Sequence, residues 1–211
     1  MFAKNYSTFY ELLNQDKPYE QEIRFIYDWA NKPKSIFDIG CGTGNYWKFY
    51  PKKTRIVGID QSRHMAHGLK NIICADIRKY KHKGRFDCAT ALFDVLNYIP
   101  NNTWWKNIPL KKGGYFIFDI WDTKKIEQDG FKKTTKLIDH TTRHITPIRV
   151  EPKSVDLQID VLIGNRDFEE IHTLYLHSYA DILAACASNG FEVVGVRSTK
   201  KWQTWYKCVK K

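Results

Sequence analysis

Three acids and a trio of glycines in the first half of the chain have the types and spacing to hold a nucleoside. Ser35 to Asn45 reads Ser-Ile-Phe-Asp-Ile-Gly-Cys-Gly-Thr-Gly-Asn, so a short apolar run is cut off by Gly40, Gly42 and Gly44. Glycines at alternate positions remove the β-carbons that would block a ligand and admit backbone angles other residues resist. Asp60 ends a second apolar run, Arg55-Ile-Val-Gly-Ile-Asp. A carboxylate about 20 residues beyond the first glycine can accept two hydrogen bonds from ribose hydroxyls. Asp76 stands just past a third apolar run, residues 71–74.

Spacing separates the readings of this loop. A dinucleotide fingerprint is GxGxxG and a phosphate loop ends in Gly-Lys-Ser/Thr; this loop is GxGxG and no such tripeptide follows. Asp38-Ile-Gly-Cys-Gly-Thr-Gly44 is similar to the first motif of the class I S-adenosylmethionine-dependent methyltransferases. The resemblance runs through essentially the whole chain. It implies S-adenosyl-L-methionine as cofactor, with Tyr19, Asp38, Gly40, Cys41, Gly42, Asp60 and Gln61 around its amino acid and ribose ends. It also implies Asp76 and Ile77 at the adenine edge, and Leu92 and Phe93 at the strand exit facing the methyl group. Met65 either packs on the adenine ring or fills the core.

The elements that must position these residues follow from periodicity. Residues 2–14 carry an aromatic stripe compatible with an amphipathic helix, and residues 19–31 repeat Ile23, Ile26, Tyr27 and Ala30 at helical spacing. Strands are expected at 36–39, 55–60, 71–74, 86–92 and 115–120, with helices at 45–50, 62–70 (capped by Ser62) and 101–108. Residues 134–139, 155–163 and 168–176 read as three antiparallel strands added to the main sheet region. A helix at 178–189 and a hairpin of 191–196 with 203–209 close the chain. The expected fold class is α/β: a doubly wound, Rossmann-like seven-stranded sheet with a small antiparallel β insertion (131–177) and N-terminal lid helices (1–33), in one domain spanning 1–211.

Bulk properties narrow the function. The chain has 211 residues, 43% hydrophobic and 27% charged, which suits one domain with a sizeable core. No apolar run approaches the roughly 20 residues that span a bilayer, so a soluble, cytoplasmic protein with no membrane partner is expected. Five scattered cysteines without a CxxC pair indicate neither a disulfide framework nor a zinc site, and no metal is expected. The net charge of +11 raises the chance of an anionic partner, although the lysines form no dense block.

The acceptor side is set by residues 92–98, Leu-Phe-Asp-Val-Leu-Asn-Tyr. They do not match the Asn/Asp-Pro-Pro-Tyr motif of base and glutamine methylation, nor is there a Pro-Cys pair for attack on a pyrimidine carbon. Nucleic acid is thereby demoted; an RNA methyltransferase stays as the alternative, and an inactive cofactor-binding module as a third reading. The insertion resembles small-molecule N-methyltransferases, including those acting on amino groups of nucleotide-linked sugars, where it forms an acceptor wall or a dimer contact. The expected acceptor is an anionic small molecule met by Tyr6, Tyr10, Asn97, Tyr98 and Trp121. A hydroxyl acceptor needs a general base. Candidates are Asp94, Asp119, Asp122, His140, His144 and His177, with His177, Tyr10 and Asp122 singled out for catalysis. His177 matches in position a histidine near the acceptor of sugar N-methyltransferases, while a histidine that merely satisfies backbone groups is at least as common.

Overall fold

The computed structural model describes residues 4–199 and 202–211; the side chains of residues 4–6 and 8 lie outside the description, and with them the expected substrate contact Tyr6. Five parallel strands form the centre of the main sheet: β1 (Ser35–Ile39), β2 (Arg55–Asp60), β3 (Ile72–Cys74), β4 (Phe86–Ala91) and β5 (Leu110–Trp121). Strands β1 and β4 are buried on both faces, as central parallel strands require, with no exposed position in either, while β2 and β3 are half-buried toward the sheet edge. A hairpin of β10 (Phe191–Ser198) and β11 (Gln203–Lys210) completes the seven-stranded sheet, in the order β10-β11-β5-β4-β1-β2-β3, with β11 antiparallel to β5. The order reverses at β1 and β4, so the crevice between their carboxyl ends is where a ligand settles.

Helices α1 (Lys4–Leu13), α2 (Tyr19–Trp29), α3 (Thr123–Asp129) and α4 (Tyr179–Asn189) flank the sheet. Helix α4 starts with a capping box, in which Ser178 and Asp181 satisfy each other's backbone groups, and stops at Gly190. On one face Trp105 packs edge-to-face on Phe116, Phe118 and Phe191. On the other, Ile23 and Ile26 of α2 are buried with Ile36, Cys88 and Trp205.

The expectations for the short helices and for the insertion are corrected. Residues 62–70 form turns rather than a helix: Ser62 accepts from the Met65 amide as a cap would, but Gly68 turns to φ 83°, and nine residues with a glycine at the seventh do not repay helix nucleation. Residues 45–50 and 101–108 likewise shrink to 3-10 turns, Trp47–Phe49 and Thr103–Asn107. The insertion is its own four-stranded antiparallel sheet, not three strands joined to the main one: β6 (Thr134–Ile138), β7 (Thr141–Glu151), β8 (Ser154–Ile163) and β9 (Arg166–Tyr175). Strand β7 escapes detection because its sequence does not alternate and contains Pro147, which sits at a register shift where a proline is tolerated. The inner face of this sheet presents Val155, Leu157, Ile159 and Val161 of β8, and Ile159 and Val161 cluster with Leu13 of α1.

Candidate active site

The loop after β1 is fixed from below. Buried Asp38 accepts from the Trp47 indole (2.8 Å) and the Thr90 hydroxyl (2.7 Å), linking β1, the Trp47 turn and β4. Burial raises its pKa from 3.8 to about 6. Gly40 at φ 65° passes so close to Val95 that a β-carbon would lie 2.6 Å from both of its methyl groups. With no β-carbon there, Val95 packs directly on the turn, and Gly40 and Gly42 border the crevice above it.

A cavity of about 270 Å³ opens over this loop. Its floor is Gly40, Gly42 and Asp60. Asp60 accepts from the Gly42 amide at Oδ2 (2.9 Å) and the Ser62 amide at Oδ1 (2.8 Å), so each oxygen keeps a lone pair for another donor. Burial raises its pKa, and donors from a diol would relieve that cost. Gln61, Met65 and Ile77 line the same space, as does Asp76, whose carboxylate Arg78 grips in a two-toothed pair (2.7 to 3.0 Å) that lowers its pKa. Leu92 and Phe93 form the next stretch of wall. Cys41 and Tyr19 border a smaller adjoining recess with Asp38; the Cys41 sulfur turns inward over Gly58, where a β-carbon would come within 2.6 Å, and burial raises its pKa.

The exit of β4 is braced by a second carboxylate. Phe93 and Asp94 both take left-handed backbone angles (φ 67° and 62°), a costly pair for residues with β-carbons. Buried Asp119 holds them by accepting from the Phe93 amide (2.7 Å) and the Asp94 amide (3.1 Å), and it also takes Gln203 Nε2 (2.9 Å). Burial, then the neighbouring Asp119 charge, raises Asp94 well above the usual carboxylate range.

The far wall comes from the second sheet: Arg143 and Ile145 of β7, Leu157 and Ile159 of β8, Leu174 of β9. Tyr10, Tyr98 and Trp121 also reach the cavity. Three expected site residues do not. His177 is buried with Nε2 3.0 and 3.1 Å from the carbonyls of Leu96 and Ile99, outside the cavity, so it pins that turn instead of facing an acceptor. Asn97 is fully buried and spends its amide on the Tyr175 carbonyl (2.7 Å) and the Trp121 amide (3.1 Å). Asp122 caps α3, accepting from the Lys125 amide (3.3 Å) and the Thr204 hydroxyl (3.0 Å). All three were placed near the chemistry by chain position, yet each has a backbone group to satisfy, and that decides its orientation.

The methyltransferase-domain family model matches residues 13–196. The chain belongs to this methyltransferase family. Among solved structures, the methyltransferase is similar to an S-adenosylmethionine-dependent methyltransferase from Clostridium acetobutylicum (22% identity, TM-score 0.80, 98% of each chain covered). It is also similar to DesVI of Streptomyces venezuelae (20%, TM-score 0.79, covering 98% of this chain and 97% of that one). CalS10 of Micromonospora echinaspora, an amino pentose methyltransferase in its SAM-bound form, aligns at 18% identity and TM-score 0.78 over 100% of this chain and 98% of that one. These likenesses show a shared fold. No curated protein matches the sequence. The methyltransferase is S-adenosylmethionine-dependent, and the bare glycine loop with Asp60 fits that cofactor: a close-approach backbone and a buried carboxylate with acceptor capacity to spare. Sequence reasoning missed Arg143, which lines the cavity from β7, a strand whose pattern does not alternate.

Proposed function

We propose that this methyltransferase methylates an amine or hydroxyl of a small anionic molecule, with nucleotide-linked sugar amines as the first candidates. The observation that carries the reading is that the glycine-floored crevice and an apolar wall from a separate sheet share one cavity. Ile145, Leu157, Ile159, Leu174 and Trp121 suit a ring-shaped body, and Arg143 supplies a cation beside it. DesVI, CalS10 and the sugar N-methyltransferase KedS8, similar in fold, lend support to the sugar class.

When bound, the cofactor supplies the methyl group and the leaving sulfur. The chain's own part is position and dryness. Asp60 and the Gly40 to Gly42 backbone hold the nucleoside end. Asp76, Ile77 and Met65 border the base, and Leu92 and Phe93 border the reacting end. Tyr10 and the second sheet shut out water, which strengthens every polar contact inside.

Calorimetric titration with S-adenosylhomocysteine and, separately, NADH tests this. Asp60→Ala removes two charge-assisted hydrogen-bond positions and weakens S-adenosylhomocysteine binding by about 50- to 100-fold, while NADH does not bind. Binding of NADH, or an unchanged affinity in the variant, would mean that the crevice has been misassigned. A labelled-methyl screen of amino sugars, their nucleotide-linked forms and short RNAs then tests the acceptor class.

A further inference from the structure

The inner face of the second sheet carries a polar pair that meets the cavity through Tyr98. Tyr98, a cavity residue, has its hydroxyl 3.0 Å from His172 Nδ1, and His172 Nε2 lies 3.0 Å from Glu170 Oε2. His172 is buried at 2% exposure, and register pairs it with Leu157 and Glu170 with Ile159. An ionised carboxylate only accepts, so Nε2 carries the proton. Burial lowers the His172 pKa and favours the neutral ring, which leaves Nδ1 bare and makes Tyr98 the donor. A hydroxyl, a base within hydrogen-bond reach and a carboxylate that orients the base form the arrangement that activates an oxygen.

We propose that Tyr98, backed by His172 and Glu170, is the group that takes the acceptor's proton during methyl transfer. As the lone pair of the acceptor atom forms its bond to the methyl carbon, the old bonding pair stays on sulfur and the acceptor's proton passes to Tyr98 Oη. Tyr98's own proton moves to His172 Nδ1, and the imidazolium so formed sits against Glu170. His172 is a positioning and proton-holding residue, and Tyr98 is the one that meets substrate. Asp94, which shares the cavity, is the competing candidate, but burial and the neighbouring Asp119 raise its pKa, and among the described residues no neutral base backs it as His172 backs Tyr98. The proposal rests on the methyl-transfer reading, and the relay itself is tested without an acceptor.

An activated tyrosine oxygen attacks a sulfonyl fluoride, forming an O–S bond and expelling fluoride. Full-length protein is treated with phenylmethanesulfonyl fluoride and the modified residue located by peptide mass spectrometry. Labelling of Tyr98 is expected in the wild type, at least tenfold slower in His172→Gln and His172→Ala, and intermediate in Glu170→Gln. Added imidazole restores the rate in His172→Ala but not in His172→Gln, a rescue that a merely structural histidine would not show. S-adenosylhomocysteine titration of each variant checks that the fold survives, and Glu170→Gln serves if the histidine variants do not fold. Absence of Tyr98 labelling in the wild type, or equal rates in all variants, overturns the relay. If the wild type labels as expected but does not bind S-adenosylhomocysteine, the methyl-transfer reading fails and the activated tyrosine stands.

Discussion

The floor and the far wall of the cavity each draw a charge out of bulk water, Asp38 completely and Arg143 in part, and they treat it in opposite ways. Under the floor, the Asp38 carboxylate has a protein donor on each oxygen, Trp47 on one and Thr90 on the other. On the far wall, among the described residues, the Arg143 guanidinium meets Asn14 Oδ1 at a long 3.5 Å, and its Nε is buried without a hydrogen-bond partner. A buried polar group left unpaired costs free energy that evolution removes unless something else uses it. The floor is complete as protein; on the proposed reading, the wall is completed by the anionic acceptor.

That contrast breaks most visibly with pH. Asp38 carries a folded-state pKa of about 6 against an ordinary 3.8, so the folded protein holds a proton there that the unfolded chain releases. The resulting stabilisation is fully present below about pH 4 and is lost as pH rises through about 6. At 1.36 kcal/mol for each tenfold change in proton affinity, the gap amounts to about 3 kcal/mol. Asp38→Asn cannot ionise, so the wild type should lose about 3 kcal/mol relative to that variant between pH 3 and pH 8 in denaturant titrations. Parallel curves for the two proteins would show that the indole and hydroxyl donors fully offset burial.

The far wall predicts the opposite sign for a substitution. Arg143→Met replaces a half-buried, incompletely paired cation with an apolar side chain of similar reach among Ile145, Leu157 and Ile159. Thermal unfolding should rise by about 2–4 °C, corresponding to about 1 kcal/mol, while S-adenosylhomocysteine affinity stays within about twofold and methyl transfer to an anionic acceptor falls by at least about tenfold. A fall in stability would make Arg143 a structural residue of the wall.

The same contrast explains what was legible in the sequence. The floor is written in local order: a strand, a glycine turn and an acid at the end of each of the next two strands, so Gly40, Asp60 and Asp76 reach one cavity as their spacing implies. The wall is assembled from residues far apart in the chain. Tyr98 meets His172 across 74 positions, and strand register alone creates that meeting. His177 misled for a related reason. Its distance from the cavity depends on which carbonyls the turn at Leu96 to Ile99 leaves unpaired, and no side-chain pattern encodes that.

The smallest predicted effect concerns how the wall is tied to the N-terminal helix. Asp16 and Lys136 form an ion pair across the junction, and the pairing lowers the Asp16 pKa. Side-chain exposures of 63% for Asp16 and 31% for Lys136 leave the pair screened by water and salt. Leu13, three residues earlier, is fully buried against Ile138, Ile159 and Val161, and a leucine so enclosed is worth roughly 2–5 kcal/mol when truncated to alanine. Apolar contact therefore holds the helix on the sheet, and the ion pair adds direction at its edge. Asp16→Asn should cost no more than about 0.5 kcal/mol in chemical denaturation, shrinking further in 1 M salt. A loss above 1 kcal/mol that salt does not reduce would mean that the two parts are joined by charge, and that the wall depends on a polar contact as the floor does.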